Sequence, residues 1–422
     1  MFDSLYNLII TFLWFLVRLV GLFDPKTRRW VAGQNQSKQW LHQIAQQKRE
    51  KKLTIWCHVA SLGEFEQGRP VLEKIRQQYP NAFLVLTFFS PSGYELRKNY
   101  DQVDTVGYLP VDTAANAKSF LNTIQPDLAL FVKYEFWYNY LHQLHQRQIP
   151  TVLFSAIFRP QQLFFQWYGG FFRQILFCFE HIVVQNETSQ ALLASVGYHS
   201  TTVAGDTRLD RVAQIAAQAQ AYPLIEIFKN KQPLLVIGSA WPDDMAVLVP
   251  FLQIWSQPLK VIIAPHEINQ EQMTKWEHQL GNTIRYTSLS PSYPTLLLQN
   301  TRFLFLDTVG MLSSVYRYAD FAYIGGAFGD GLHNILEPAV FGMPIFFGKP
   351  HFTKFQEAHD LLALGGTVAI GSTSDFENAF GEVYQNEKLK NRKSQICRQY
   401  IQNNRGATDA VMKVINSLIV CV

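Results

Sequence analysis

Short apolar runs alternate with stretches of helical spacing along almost the whole chain. In the first half the runs at 54–60, 83–88 (FLVLTF), 128–132 (LALFV), 151–154 (TVLF) and 181–184 (HIVV) are β-branched and aromatic, as buried strands are, and enough residues for a helix separate each from the next. A Gln- and Ala-rich stretch, DRVAQIAAQAQAYPLIEIFKNKQ at 210–232, reads as a helix followed by a linker. The pattern then restarts, with runs at 234–237 (LLVI), 260–264 (KVIIA), 303–306 (FLFL), 321–324 (FAYI), 345–347 (IFF) and 367–370 (TVAI). Such alternation predicts parallel α/β structure. At 422 residues the chain suits two domains, and its restart predicts two Rossmann-like domains facing one cleft: 24–210 and 233–422, joined by a linker at 211–232. The tail from Asp375 reads as helices that close the second domain or cross back to the first.

The first 23 residues break the pattern. Leu5 to Phe23 is apolar with Arg18 as its only charge, and a helix of about 19 residues covers roughly 28 Å, close to the thickness of a bilayer core. No basic segment precedes the run and no small-residue cleavage site follows it, which argues against a cleaved signal peptide. An anchor helix over 1–23 is expected, either spanning the membrane or lying on it with Arg18 reaching the headgroups. Behind it Lys26, Arg28, Arg29, Lys38, Lys48, Arg49, Lys51 and Lys52 outnumber Asp24 and Glu50, which puts the rest of the chain on the cytoplasmic side.

A net charge of +4 on 422 residues does not advertise nucleic acid as a partner. Cys57, Cys178, Cys397 and Cys421 are scattered without a CxxC, so neither a zinc site nor a disulfide framework is indicated. No D-x-D occurs, and no metal or other cofactor is expected.

Candidate chemistry collects where strands end, the edge at which open α/β sheets bind ligands. HVASLGEFEQGRP (58–70) is a strand-to-helix turn holding Ser61, Gly63, Glu64 and Arg69, and Glu64 sits where a Rossmann-like turn usually keeps small neutral residues. First-turn stabilisation by the helix dipole is the plain alternative for Glu64. KYEFWYN (133–139) places Glu135 at another strand end, where an ion pair with Lys133, Arg159 or Arg69 is the plain alternative. In the second half GSAWPDD (238–244), APHE (264–267) and DTVGML (307–312) each follow a strand. YIGGAFGDGLHNILEPAVFGMPIFFG (323–348) adds Gly325, Gly326, Gly329 and Gly331 before a helix opening near Asn334, a phosphate-binding arrangement, with Glu337 one turn on to reach a ribose. The N-x-x-E spacing of Asn334 and Glu337 also fits a capping box, His266 also fits a loop histidine bonded to backbone, and Asp307 also fits a helix cap.

The H-x-A-S-L-G-E-F-E-Q-G-R-P segment, the strand-end glutamate of KYEFW, and D-T-V-G followed by G-G-x-F…G-x-H-N-x-L-E-P-A resemble the 3-deoxy-D-manno-octulosonic acid (Kdo) transferases of lipopolysaccharide synthesis. The resemblance covers nearly the whole chain, anchor included. It implies a GT-B fold, inverting transfer of Kdo from CMP-Kdo to a lipid A precursor at the cytoplasmic face of the inner membrane, and no metal. By position, Glu64 matches the family's proton acceptor. Pro265 and His266, Val309, Gly310 and Met311, and Asn334, Ile335, Leu336 and Glu337 match its CMP-contacting segments. Ser61, Gly63, Arg69, Glu135, Gly325 and Gly326 are the candidates for sugar contacts. Met311 stands where the family commonly has Glu, which leaves that loop a backbone contact; Lys133 and Tyr138 depart from the family's E-x-E-x-W-P. The rivals are another membrane-associated GT-B enzyme, either a different sugar transferase or an epimerase, and a membrane-tethered nucleotide-binding protein without catalysis.

Overall fold

The computed structural model describes residues 2–47 and 53–419, so Lys48, Arg49, Lys51, Lys52 and Glu50 of the basic segment, and Cys421, lie outside the described residues. Helices α1 (Phe2–Val20) and α2 (Pro25–Gln47) come first, separated by a turn at Gly21–Phe23. The chain divides into two compact units, Met1–Asp210 with Arg405–Val422, and Arg211–Asn404.

The first unit holds one seven-stranded sheet: β1 (Thr54–Val59), β2 (Phe83–Phe88), β3 (Thr105–Tyr108), β4 (Leu128–Val132), β5 (Thr151–Ala156), β6 (His181–Val184) and β7 (Thr201–Val203). Its order is β3-β2-β1-β4-β5-β6-β7 and every pairing is parallel. The central strands are buried from end to end because helices cover both faces, which is why they read as continuous apolar runs. On one face Trp56, fully buried, packs against Phe120, Phe131 and Tyr140. On the other, α3 (Leu62–Gln78) contributes Phe65, Val71, Leu72 and Ile75. The last helix, Ala407–Ile419, adds Val411, Met412 and Ile415 to that same core and bonds Tyr79 through Asn416 at 2.9 Å. The expected second domain of 233–422 is therefore too long: its final helix buries its apolar face in the first unit.

The second unit repeats the plan with β8 (Leu234–Ala240), β9 (Lys260–Pro265), β10 (Thr283–Arg285), β11 (Phe303–Phe305), β12 (Phe321–Ile324), β13 (Ile345–Gly348) and β14 (Thr367–Ile370). The order is β10-β11-β9-β8-β12-β13-β14, again all parallel. The expected linker 211–232 is largely structured. A helix at Pro223–Lys229 buries Ile225 and Phe228, and Lys229 pairs with Asp320 at 3.1 Å, which ties the segment to the second unit.

In each sheet chain order reverses at the centre, between β1 and β4 in the first and between β8 and β12 in the second, where β10 and β11 are also inverted at one edge. Connections leave on opposite faces there, so a crevice opens outside the carboxyl ends of that strand pair. Glu64 follows β1 and Glu135 follows β4; Trp241–Asp244 follow β8 and Gly325–Gly326 follow β12. The topology alone thus gathers the chemistry-bearing loops of each unit.

Candidate active site

From Val59 the first unit turns through Ala60 and an extended Ser61 (φ −136°) into α3. Glu64 is the third residue of that helix, and its Oε2 accepts hydrogen bonds from the N–H groups of Ala60 and Ser61, both at 2.9 Å, and from Ser61 Oγ at 3.0 Å. Helix stabilisation is therefore real, through a capping box rather than the dipole alone. It occupies one oxygen: among the described residues Oε1 accepts no hydrogen bond. Burial first, then the charge of Glu135, push the Glu64 carboxyl above the usual range, against the hydrogen bonds from Ser61. One oxygen is held rigid while the other is left as a base stronger than an ordinary glutamate.

Glu135 is reached through Lys133, whose φ of +69° is a left-handed conformation that costs on the order of 1 kcal/mol or more in a non-glycine residue. The Lys133 N–H bonds Phe154 at 2.9 Å, and the turn sends Glu135 inward, where it is 5% exposed. Its Oε2 meets His58 Nε2 at 3.0 Å and Trp137 Nε1 at 2.5 Å, partners that the expected ion pairs did not include. Arg69 lies along α3 with Glu73 at 2.8 Å and is not gathered with Glu64. Gly63 is exposed and its φ is not positive, so nothing local requires glycine there.

His58, wholly buried, links these groups. Trp56 Nε1 donates to Thr87 Oγ1 at 2.8 Å; His58 Nδ1 lies 2.9 Å from that hydroxyl and 3.2 Å from the Thr87 carbonyl oxygen, and His58 Nε2 lies 3.0 Å from Glu135 Oε2. Because the charge of Glu135 helps to raise the Glu64 carboxyl, replacing Glu135 by Gln should shift the acidic limb of any Glu64-dependent pH–rate profile to lower pH. A profile unmoved by the substitution would show that the two carboxyls do not interact.

In the second unit Asp244 organises the crevice. It is fully buried in the first turn of the helix Pro242–Ile254, where it accepts from Gly326 N at 2.8 Å, Tyr323 OH at 2.9 Å and Trp241 N at 3.1 Å. A Cβ on Gly325 would stand 2.2 Å from Ser239 O, and Gly326 has φ +96°, so both glycines are needed for this close approach. His333 N–H bonds Gly325 O at 3.2 Å, which brings its ring into the same crevice. The His266 ring stacks on Trp241 at 4.3 Å and lies 4.4 Å from the His333 ring. It is thus a stacked side chain rather than a backbone-bonded one. His333 accepts from Trp241 Nε1 at 2.8 Å, and burial, with the His266 charge second, lowers its pKa to about 4. His333 is therefore neutral at pH 7, with Nδ1 carrying the remaining proton.

The other expected positions are only partly gathered. Pro265 closes β9 beside His266. Val309 is 90% exposed, Gly310 has φ +92°, and Met311 turns inward to accept from Thr308 Oγ1. Asp307 bonds the Thr287 N–H at 2.9 Å and is not a helix cap. Ile335 and Leu336 are buried, so only their backbone can meet a ligand. The helix expected to open near Asn334 runs only from Leu336 to Phe341. Asn334 Oδ1 takes the Leu336 N–H at 3.1 Å, and Asn334 Nδ2 bonds Glu337 Oε1 at 3.2 Å. This is a side-chain pair, not a capping box, and it leaves one amide fewer for a phosphate. The sequence reading missed Asp244, His58 and His333 as working residues. All three lay inside motifs already quoted, but the partner of His58 is 77 residues away and no spacing could show it.

With this geometry established, known structures identify the class. The fold is similar to a UDP-GlcNAc 2-epimerase from Neisseria meningitidis bound to UDP-GlcNAc (TM-score 0.60, 12% identity, covering 86% of this chain and 100% of that one). It is also similar to MurG of Acinetobacter baumannii (TM-score 0.58, 13% identity, covering 87% and 100%). The class is the GT-B type, two Rossmann-like domains in one chain. Residues 35–211 match the family of 3-deoxy-D-manno-octulosonic-acid transferases (kdotransferases). The chain is 24% identical over 372 residues to the 3-deoxy-D-manno-octulosonic acid transferase of Haemophilus influenzae (86% of each). It is likewise 24% identical over 381 residues to that of Rickettsia bellii (88% of this chain, 90% of the relative). The chain is a glycosyltransferase related to the Kdo transferases of lipopolysaccharide biosynthesis.

Proposed function

We propose that the chain transfers Kdo from CMP-Kdo to the lipid A precursor (lipid IVA), with inversion, and that Glu64 is the general base. The observation that carries this reading is the divided Glu64 carboxylate at the switch point of the first sheet, one oxygen capped and the other accepting no hydrogen bond among the described residues. A sugar hydroxyl has a pKa far above 7, so removing its proton as the new bond forms contributes about 10²–10⁴-fold. The acceptor oxygen bonds to the anomeric carbon of Kdo, its proton passes to Glu64, the bond from that carbon to phosphate breaks, and CMP departs as a phosphate monoester.

We assign donor recognition to the second unit. Pro265, His266, the backbone of 309–311 and 334–337, and Glu337 are the CMP contacts, and the Gly325–Gly326 loop admits the donor's backbone approach. Ser61 and Glu135 serve the sugar side. Replacing His266 or Glu337 by Ala should raise the apparent KM for CMP-Kdo by about tenfold while melting changes little. An effect confined to melting would make the Asn334–Glu337 pair purely structural. No step is routed through a metal, so EDTA should leave the rate unchanged; loss of activity restored by magnesium would contradict the scheme.

The epimerase-like fold supports a second reading, chemistry on a UDP-sugar. Turnover of UDP-GlcNAc with no turnover of CMP-Kdo would favour it. The membrane enters through the acceptor, a lipid, and through α1, whose residues 3–20 are long and apolar enough to cross a bilayer.

A further inference from the structure

Both ends of α1 are fastened to the first unit. Near its start, Tyr6 OH donates to the buried Asp112 at 2.7 Å, Asn7 Oδ1 accepts from the Ala114 N–H at 3.1 Å and from Asn139 Nδ2 at 3.2 Å, and Tyr138 OH donates to Asp3. Near its end, Trp14 packs edge-on against Trp30 of α2 at 5.4 Å, and Arg28 Nε bonds Gly21 O at 3.1 Å. The half-buried positions Tyr6, Ile10, Trp14 and Val17 form one helical seam. Opposite it, Leu5, Leu8, Phe12, Phe15 and Leu19 are all exposed, Leu8 by 67%. Soluble proteins rarely leave more than a few hundred Å² of contiguous apolar surface uncovered.

A helix that spans cannot have this seam. Tyr6 and Gly21 are about 22 Å apart along the axis, so a crossing would carry Asp3, Tyr6 and Asn7 to the far side and strip Asp112 and Asn139 of their partners. We infer that α1 does not cross the membrane but lies flat along it, its outer face immersed at the boundary of headgroups and acyl chains of an anionic bilayer. This deepens the membrane reading given above and is independent of which sugar is transferred.

Charge and continuity select lipid as the occupant. Arg18 sits over the Trp14 ring at 5.1 Å, and Arg28 and Arg29 are exposed beyond the turn, placed for lipid phosphates. From Tyr6 the apolar surface continues through Phe171, 6.3 Å away, into the segment that exposes Trp167 by 90% and Tyr168 by 57%. An indole and a phenol left bare beside an apolar helix suit the headgroup layer. The stretch 162–172 is thus neither an ordinary loop nor a wholly buried helix. Inward from α1, Trp14, Trp30, Phe89 and Trp137 form a line of ring contacts that ends on Glu135. The immersed helix is therefore continuous with the acceptor-side carboxylates.

The test uses full-length protein lacking Cys421 (Cys421→Ser), expressed in a Gram-negative host. Ser4→Cys and the exposed reference Gln218→Cys are each treated with a membrane-impermeant maleimide in inverted and right-side-out vesicles. We expect both positions to be labelled in inverted vesicles and both to be protected in right-side-out ones. A second variant, Asn7→Cys with Asn139→Cys, should be joined by a short bifunctional maleimide in the membrane-bound protein. Labelling of Ser4→Cys only in right-side-out vesicles, failure of the cross-link, or protein that stays in solution as a dimer through this face would each overturn the inference. None of these readouts depends on transfer activity, so their failure leaves the enzymatic reading standing.

Discussion

Glu64→Gln is expected to lower turnover by at least about 10²-fold while CMP binding is unchanged and melting shifts little. Glutamine keeps an oxygen able to accept the bonds from Ala60, Ser61 N and Ser61 Oγ, so the helix start survives. It cannot take a proton from an acceptor hydroxyl. Glu64→Ala removes both functions and should add a stability loss of about 0.5–2 kcal/mol, the usual effect of losing such a cap. The pair of variants separates the two duties of this side chain. Near-normal turnover in Glu64→Gln would end the assignment of the base, whatever happens to stability.

Asp244→Ala should be the most damaging single change in the second unit. It leaves the N–H groups of Gly326 and Trp241 and the Tyr323 hydroxyl without their acceptor in a fully buried place. An orphaned buried donor costs about 1–3 kcal/mol, so a total of about 3 kcal/mol or more is expected even after relaxation. Because Asp244 pins the Gly325–Gly326 loop, CMP affinity should fall with stability. Asp244→Asn is the control. Its oxygen can still accept from the two N–H groups while the Tyr323 hydroxyl rotates to accept from its amide, so most of the loss should be recovered. Denaturant unfolding and CMP titration measure both effects, and an alanine variant as stable as the parent would show that the loop is held by other means.

Much of this architecture was legible in the sequence because parallel sheets bury their central strands on both faces. LALFV and KVIIA could hardly be anything else. The strands that the pattern did not reveal, β3, β7 and β10, are all at sheet edges, short and half-covered, and TVGY, TTV and TIR lack the apolar weight of a core strand. Gly-rich loops and strand-end glutamates marked where the crevices lie, since loop position follows from topology. Long-range polar pairing left no such trace. Nothing in HVASLGE says that His58 meets Glu135, and nothing in an apolar run of helical length distinguishes crossing a bilayer from lying on it. Asp3, Tyr6 and Asn7 make that distinction only once Asp112, Asn139 and Tyr138 are placed beside them.

The most direct measurement of the central claim is product mass after incubating full-length protein with CMP-Kdo and a tetra-acylated lipid A precursor in detergent, with CMP release followed in parallel. The account predicts acceptor heavier by one or more whole Kdo residues, one CMP per residue added, and neither product from Glu64→Gln. Unchanged acceptor with intact CMP-Kdo, or transfer that persists in Glu64→Gln, would contradict it.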